Sequence, residues 1–229
     1  MHKTKFSLIF NKNLKFRHFR FREDDGIVSF LGLNLLRAKV SNHLNFKGKR
    51  NMSNEQIAIF AGGCFWCTEP VFSQLKGVSK VESGYIGGHT LNPNYKDICN
   101  GDTGHAEGIR ITFDADIVSF ETLLEVFLVS HDPTTPNRQG NDVGTQYRSA
   151  VFCQNDAQYA TAEETIESFN SAFVYNAPIV TEINGASTFY PAEDYHQQYF
   201  DKNPGNPYCL AVAAPKAAKI RAKYAQLIK

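Results

Sequence analysis

The chain has 229 residues and a formal net charge of +1, which hides two parts of opposite charge. Residues 1–52 hold twelve Lys or Arg against three acids, whereas residues 53–229 hold twelve Lys or Arg against twenty acids. The acidic part is long enough for one domain with a sizeable core, and its charge argues against a nucleic-acid partner. No apolar run approaches the roughly 18 residues of a membrane-spanning helix, so we predict no membrane partner either.

Three interpretations compete for the basic residues 1–52. A secretory signal would use residues 26–36 as its apolar segment, but Arg37 follows at once without a small-x-small cleavage motif. An organellar transit peptide should be poor in acids, and Glu23-Asp24-Asp25 interrupts it. We favour a translation start at Met52, where the composition changes sign, with a disordered or targeting extension or a tether to an anionic surface as alternatives. One domain over residues 53–229 follows from this interpretation.

The hydrophobic pattern predicts elements throughout the second part. In chain order they are a strand over 57–61, a helix over 64–76, a strand over 78–85, a short helical piece over 96–99 and a strand over 105–113. Ser119 can cap the next helix, which His131-Asp132-Pro133 stops. After a long polar loop over 134–146 come a strand over 147–153, a helix over 156–173, a strand over 178–183, a short polar helix near 193–203 and a final helix opened by Pro215.

The order strand, helix, strand, strand, helix, strand matches the split βαβ plan of ferredoxin-like domains. We therefore predict an α/β (α+β) fold, a two-layer sandwich of helices on a sheet. Two long loops and a C-terminal tail should lie over it, and long glycine-containing loops between strands are where function is to be sought.

The five cysteines are odd in number and widely spread, at Cys64, Cys67, Cys99, Cys153 and Cys209. Such a set in a domain of this size does not indicate a secreted disulfide framework. It favours reactive thiols in a reducing compartment, and hence a cytoplasmic location. We expect Cys99 and Cys153 to be buried bystanders.

Cys64 follows Gly62-Gly63, which mark a turn from the first strand into the first helix. A cysteine at a helix N-terminus meets unpaired N–H groups and the positive end of the dipole, which favour a thiolate. Phe65 and Trp66, the only tryptophan, suggest an apolar pocket beside this sulfur. The plainer alternative is that these aromatic residues are core and both nearby cysteines are buried hydrophobes.

Cys64 and Cys67 form a C-x-x-C motif, for which two interpretations exist from spacing alone. A zinc site needs a second close Cys or His pair, and the sequence has none, so we predict no metal and no cofactor. A thioredoxin-like dithiol fits a strand-to-helix turn. However, the motif lies in the first βα unit of a longer chain, and Pro178 before a strand is the one feature that supports that fold.

Several blocks together resemble one family. They are Gly62-Gly63-Cys64-Phe65-Trp66-Cys67, Ser83-Gly84-Tyr85-Ile86-Gly87-Gly88, Gly101-Asp102-Thr103-Gly104-His105-Ala106-Glu107, His131-Asp132-Pro133, Gly140-Asn141-Asp142-Val143-Gly144-Thr145-Gln146-Tyr147-Arg148-Ser149 and Ala192-Glu193-Asp194-Tyr195-His196-Gln197. In order and at similar spacing, they make residues 57–215 resemble the A-type peptide-methionine sulfoxide reductases. Residues 1–52 lie outside this resemblance.

The resemblance implies an activity and a role for each matching residue. The expected reaction is reduction of methionine S-sulfoxide, in proteins and free, as repair after oxidative damage. The implied roles are Cys64 as nucleophile, Glu107 as a buried proton donor, Tyr95 and Tyr147 as hydroxyl donors to the sulfoxide oxygen, Asp142 as a loop carboxylate that organises the site, and Phe65 and Trp66 as the pocket for the methyl group. We expect His196 to be a structural hydrogen-bonding residue.

A second thiol must reduce the sulfenic acid formed on Cys64. Cys67 is adjacent but is separated by the bulky Phe-Trp pair, whereas Cys209 resembles the family's C-terminal resolving cysteine. We favour Cys209, because a mobile Pro/Gly-rich tail would give it access, and keep Cys67 as the alternative. The resemblance also implies thioredoxin as reductant, oxidised proteins or free methionine sulfoxide as substrate, and a monomer.

Two other functions stay open on the sequence alone. A general dithiol oxidoreductase would use Cys64 and Cys67 and would survive a Glu107→Gln change. A non-catalytic module that recognises oxidised methionine would keep its activity after Cys64→Ser.

Overall fold

The structure is a computed structural model that describes residues 54–229, so the predictions for residues 1–52 lie outside the described residues. Its strands, in chain order, are β1 Glu55–Ala61, β2 Val78–Ile86, β3 Ala106–Asp114, β4 Arg138–Gln139, β5 Asp142–Val143, β6 Ala150–Phe152, β7 Glu182–Asn184 and β8 Phe189–Pro191. The helices are α1 Phe65–Ser73, α2 Tyr95–Asn100, α3 Phe120–Ser130, α4 Asp156–Ser171, α5 Tyr199–Lys202 and α6 Ala214–Lys223.

The main sheet has six strands in the order β7-β6-β1-β3-β2-β8. Its centre, β6-β1-β3-β2, is antiparallel and has α1 and α3 as its connecting helices, which is the split βαβ arrangement. The predicted ferredoxin-like α/β fold is confirmed. At the two edges β7 pairs in parallel with β6, and β8 pairs antiparallel with β2.

The larger core lies between this sheet and its helices. Alternation along β1 sends Ala58 and Phe60 to the helical face, while Ile59 and Ala61 join a smaller apolar cluster on the other face. The Phe60 ring stacks on Phe127 of α3 at 4.8 Å and lies 5.7 Å from Phe72 of α1. These rings fix α1 on the sheet and therefore fix the start of α1 at the end of β1.

Side chains cap the N-termini of α3 and α2. The Ser119 hydroxyl accepts the N–H of Thr122 at 3.1 Å, as predicted for the start of α3. Asn94 and Asp97 form a reciprocal capping box at α2, which fixes the backbone on which Tyr95 begins the helix.

The C-terminal region differs from the prediction, because it is helical from Pro207 onward. Asn206 Oδ1 accepts the N–H groups of Tyr208 and Cys209, so Asn206-Pro207 acts as a cap followed by a first-turn proline. Pro215 lies inside this helix instead of opening it, directly after a π-helical turn over Cys209–Ala213. The wider turn fits an interior proline, which cannot donate a backbone hydrogen bond.

Other parts of the chain also differ from the prediction. The strand predicted over 178–183 is β7, which begins only at Glu182, because the preceding residues bond to loops: Val180 N–H donates to Pro133 O. The loop over 134–146 contains the short hairpin β4–β5. Within residues 54–229, none of the helices is both long and apolar enough to cross a bilayer.

Candidate active site

The glycine pair brings the first strand into α1 through a crowded turn. Gly63 has φ of +79°, and a Cβ there would lie 2.6 Å from Cγ of Gln139. A Cβ on Gly62 would lie 2.7 Å from the Phe127 ring. Both positions therefore require glycine. Cys64 then occupies the N-cap of α1 in an extended conformation, so its predicted place at a helix N-terminus is confirmed.

Cys64 and Cys67 form a buried pair on the first turn of α1. The N–H of Cys67 donates to Cys64 O at 3.0 Å, and the two thiols lie close enough to shift each other's pKa. The interaction with Cys67, burial and then the charge of Glu107 raise the pKa of Cys64, whereas the interaction with Cys64 lowers the pKa of Cys67. In the ligand-free site these effects outweigh the helix dipole at Cys64, so they favour its thiol over its thiolate.

Glu107, the second residue of β3, lies directly against Cys64. Its side chain is 3% exposed, and its Oε2 accepts the N–H of Phe65 at 3.1 Å. Burial, followed by the charge of Asp142, raises its pKa to about 8, although the bonds from Phe65 and Cys64 act in the opposite direction. A carboxyl group that stays protonated at neutral pH therefore lies next to the candidate nucleophile.

Tyr95 and Tyr147 converge on the same carboxyl group from α2 and from the turn before β6. Burial is the first cause of a raised pKa at each hydroxyl, and the charge of Glu107 contributes at both. Both hydroxyls therefore stay protonated and able to donate. Hydrogen bonds of the main chain position both tyrosines: Tyr95 N–H donates to Glu193 at 2.8 Å, and Tyr147 O accepts the N–H of Gly63 at 3.2 Å.

The indole of Trp66 is held on two sides. Its face stacks on Tyr199, with centroids 3.7 Å apart and planes 7° apart. Its Nε1–H donates to Nδ1 of His196 at 3.0 Å, so His196 makes the structural hydrogen bond that we predicted. Phe65 is buried beside them, with its ring 5.1 Å from His196. Sequence reasoning missed Tyr199, because nothing local marks a tyrosine 133 residues away as the partner of Trp66.

Asp142 reaches the thiol pair through Tyr208. The Tyr208 hydroxyl donates to Asp142 Oδ2 at 2.6 Å, and the Cys67 sulfur lies 3.6 Å from the same hydroxyl. Tyr208 was not singled out in the sequence, where its position before Cys209 is the one available signal. The loop carboxylate thus belongs to a hydrogen-bonded chain that ends at Cys67.

Two expectations about the other cysteines are wrong. Cys209 does not lie on a mobile tail: it is 0% exposed at the start of the C-terminal helix, where burial raises the pKa of its thiol. The capped helix explains the error, since Asn206-Pro207 starts a helix rather than a flexible segment. Cys99 is exposed, contrary to prediction, and lies one turn after Tyr95 on α2, where it contributes to the raised pKa of that hydroxyl. Cys153 is buried as expected.

The chain is similar to known proteins of one family. Residues 56–228 match the family model described as peptide methionine sulfoxide reductase. This chain belongs to the peptide methionine sulfoxide reductase family. It is similar to the reductase MsrA of Deinococcus radiodurans, with 52% identity over 192 residues that cover 84% of this chain and 93% of the relative. It is also similar to MsrA of Erwinia tasmaniensis, with 57% identity over 74% of this chain and 95% of the relative.

Solved structures of the family have the same fold. Methionine sulfoxide reductase A of Corynebacterium diphtheriae aligns with a TM-score of 0.64 and 35% identity, covering 69% of this chain and 79% of that one. Mxr1 of Saccharomyces cerevisiae in its reduced form aligns with a TM-score of 0.62 and 32% identity, covering 68% and 90%. The predicted family and its activity are therefore confirmed: the enzyme reduces methionine sulfoxide.

Proposed function

We propose that this reductase acts on the S-epimer of methionine sulfoxide, with Cys64 as nucleophile and Glu107 as acid. The observation that carries the proposal is the buried Glu107 carboxyl, which accepts the N–H of Phe65 next to Cys64 and whose pKa is raised to about 8. A sulfoxide sulfur becomes electrophilic when its oxygen is protonated or strongly hydrogen-bonded. An acid that is neutral at pH 7 can supply that proton.

The neutral form of Glu107 favours the reaction both at the sulfoxide and at the Cys64 sulfur. Its charge is one cause of the raised pKa of Cys64, so protonating Glu107 removes that repulsion. Cys67, whose pKa is lowered, can accept the Cys64 proton as the sulfur attacks. Tyr95 and Tyr147 donate hydrogen bonds to the departing oxygen. Phe65 and Trp66 hold the methyl group, which selects methionine side chains and presents one epimer.

The atoms balance in two steps. In the first, the Cys64 sulfur takes the oxygen, so that methionine is reduced by two electrons and Cys64 becomes a sulfenic acid. In the second, a thiol attacks that sulfenic acid, a disulfide forms and water leaves. The disulfide then requires an external dithiol, for which we propose thioredoxin.

We propose Cys67 as the resolving thiol, in place of the Cys209 that the sequence favoured. Cys67 lies on the same helical turn as Cys64, and its interaction with Cys64 lowers its pKa, which increases its thiolate fraction. Cys209 is buried within a capped helix, which restrains its sulfur. Asp142 and Tyr208 organise the Cys67 side of the site.

The biological setting belongs to the same proposal. Dithiol chemistry that starts from free thiols requires a reducing compartment, which supports a cytoplasmic enzyme that repairs proteins after oxidative stress. We propose that it works as a monomer on exposed oxidised methionines and on the free amino acid, without a nucleic-acid or membrane partner.

One experiment separates this mechanism from a general dithiol oxidoreductase, which the Cys64–Cys67 pair also favours. Turnover of the two separated sulfoxide epimers is measured with thioredoxin and its reductase for wild type, Cys64→Ser and Glu107→Gln. We expect wild type to consume the S-epimer only, Cys64→Ser to be inactive, and Glu107→Gln to be slower by about 100-fold or more. Consumption of the R-epimer would contradict the epimer assignment. Disulfide reduction that persists in Glu107→Gln, with no epimer preference in wild type, would favour the oxidoreductase.

A further inference from the structure

Glu69 is a buried carboxylic acid that the reaction described above leaves unused. It lies on α1 three residues after Trp66, so both side chains project from the same side of the helix. Its side chain is 3% exposed, and its Oε2 has no hydrogen-bond partner among residues 54–229. A buried carboxyl oxygen without a partner destabilises a fold, so its presence requires a reason.

The other oxygen of Glu69 holds the backbone that begins α5. Oε1 accepts the N–H of Gln198 at 2.8 Å, and the N–H of Tyr199 also stabilises the carboxylate. Gln198 has φ of +56°, in the left-handed region that non-glycine residues seldom adopt. A charged acceptor at this N–H therefore stabilises a turn that the residue's own backbone preference disfavours.

This turn places Tyr199 on Trp66. On its other side, the Gln197 amide exchanges hydrogen bonds of 3.0 and 2.9 Å with the backbone of Ser83 in β2. The turn is thus fixed to the sheet through Gln197 and to the helix of the two thiols through Glu69. Helix α1 carries Trp66 itself. Through the Glu69 carboxylate, the same helix also holds the turn that positions Tyr199.

We propose that Glu69 is a positioning residue for the substrate pocket: it holds Tyr199 against Trp66 and thereby sets the affinity for the methionine sulfoxide side chain. The inference rests on the proposed function of Trp66 as a wall for the methyl group. Glu69 acts through Tyr199 and touches none of the reacting atoms. Its loss should therefore weaken binding and leave the step at Cys64 unchanged.

The charge on Glu69 titrates in the neutral range, because burial raises its pKa to about 7. A carboxylate accepts an N–H more strongly than a carboxylic acid, so affinity should rise as pH increases through this value. Other charged groups lie beside Glu69, on α5 and around an adjoining cavity of about 540 Å³; they are Lys80, Glu82, Asp194, Asp201, Lys202 and Lys229. The Glu69→Gln variant removes only the part of the pH dependence of affinity that comes from Glu69.

The test separates affinity from rate by single turnover of the reduced full chain, without a recycling reductant and with the S-sulfoxide concentration varied. In Glu69→Gln we expect the half-saturating concentration to increase about tenfold, and the limiting rate to stay within about twofold of wild type. The increase should disappear below pH 7, where wild type also loses the carboxylate. Glu125→Gln, a partly buried glutamate on α3 whose pKa is also raised, is the matched control and should change neither parameter.

Trp66 is the only tryptophan, so its fluorescence reports on the stack itself. We expect a red shift and stronger acrylamide quenching in Glu69→Gln but not in Glu125→Gln. Tyr199→Ala should raise the half-saturating concentration as well, and the double variant should show no further increase, since both changes remove one contact. If Glu69→Gln folds poorly at some pH, Tyr199→Ala still tests whether the contact between Tyr199 and Trp66 sets the affinity.

The inference would be overturned by unchanged Trp66 emission in Glu69→Gln, by independent effects that multiply in the double variant, or by a loss confined to the limiting rate. An emission change without a change in affinity would also overturn it. In that case Trp66→Ala identifies the source of the failure. If Trp66→Ala leaves affinity unchanged, the proposed pocket is wrong; if it weakens binding, only the assignment of Glu69 is.

Discussion

Cys67 and Cys209 differ in what surrounds each sulfur, and this difference predicts which of them resolves the sulfenic acid. Cys67 lies one helical turn from Cys64 and donates to the Tyr208 hydroxyl, whereas Cys209 is 0% exposed within a capped helix. A disulfide requires Cβ atoms about 4 Å apart, so a thiol that already meets Cys64 has the advantage. We expect Cys209→Ser to cycle with thioredoxin as wild type does, and Cys67→Ser to stop after one methionine per enzyme.

The measurement is methionine released per enzyme with and without thioredoxin, together with trapping of the sulfenic acid by dimedone. Cys153→Ser, which changes a buried thiol that the mechanism does not use, is the control. The opposite pattern, in which Cys209→Ser accumulates the sulfenic acid, would restore the assignment that the sequence favoured.

Glu107 is the residue whose protonation controls the first step. Its pKa is raised to about 8, so the neutral donor is present below that value and is lost as pH rises through it. The single-turnover rate of wild type should therefore fall at alkaline pH, and Glu107→Gln should lower the rate about 100-fold or more. The variant should also lack the alkaline decline. A decline that persists in Glu107→Gln would assign it to another group.

At the scale of elements, the turn between β1 and α1 depends on glycine because a side chain at Gly63 would clash with Gln139. This clash can be measured separately from backbone strain. Gly63 and Gly101 have nearly equal φ, +79° and +82°, but a Cβ on Gly101 would meet nothing within 4 Å. Gly101→Ala thus measures backbone strain alone, which we expect to reduce stability by about 1 kcal/mol with activity retained. Gly63→Ala adds a clash with Gln139, and should lose about 3 kcal/mol and most activity.

Urea unfolding and turnover of both variants provide the comparison. Because Cys64 follows Gly63 directly, relief of the clash must shift either the nucleophile or the loop that carries Gln139. Equal effects of the two substitutions would mean that the crowding at Gly63 has no consequence.

Elements whose signal is local could be predicted from the sequence. The helical spacing after Ser119 and the alternation in β1 and β3 give the split βαβ order, because a period of 3.6 or 2 is visible within one segment. β8 was not predicted, since three residues carry little pattern and their strand character comes from pairing with β2. The C-terminal helix was misjudged because proline was taken as a helix start at 215 instead of at 207.

The residues of the site also divide into those with a local sequence signal and those whose position depends on distant contacts. The positions of Cys64 and Trp66 at the start of α1 could be argued from their neighbours. Glu107 and Asp142 entered through the family resemblance, since their proximity to the thiols depends on how separate elements pack. Tyr199, Tyr208 and Glu69 escaped notice, because each acquires its function from a contact more than 60 residues away in the chain.

At the scale of the whole molecule, the acid of the mechanism should destabilise the fold. The folded-state pKa of Glu107 is about 8 against an ordinary 4.5, so the unfolded chain releases this proton first as pH rises. Wild type therefore loses stability between these values, by about 3 kcal/mol at pH 7. Glu107→Gln should be more stable than wild type by this amount at neutral pH and similar to it near pH 4.

Urea unfolding of both proteins across this pH range tests the expectation, since all other titrating groups are common to the pair. The amide oxygen of the variant can still accept the N–H of Phe65, so no packing change obscures the comparison. A difference in stability that does not vary with pH would show that Glu107 ionises normally in the folded protein.

We propose that residues 53–229 form the single catalytic domain. The family model begins at residue 56, and residues 54–229 contain a hydrophobic core of their own. A chain that starts at Met52 should keep the kcat/KM and the unfolding free energy of the full chain, with the Cys64→Ser form of the shorter chain as a blank. A loss of either quantity would assign a function to the basic residues before it.

The contacts that tune the two thiols span long stretches of chain. Cys64 and Cys67 are three residues apart, but Glu107 lies 42 residues beyond Phe65, and Tyr208 lies 141 residues beyond Cys67. Contacts of such separation form late, after the entropy of closing large loops has been overcome. Before then the pair is an ordinary dithiol, open to any oxidant and without an acid beside it. Folding itself therefore converts a thiol pair that is merely oxidisable into one that is selective for methionine sulfoxide.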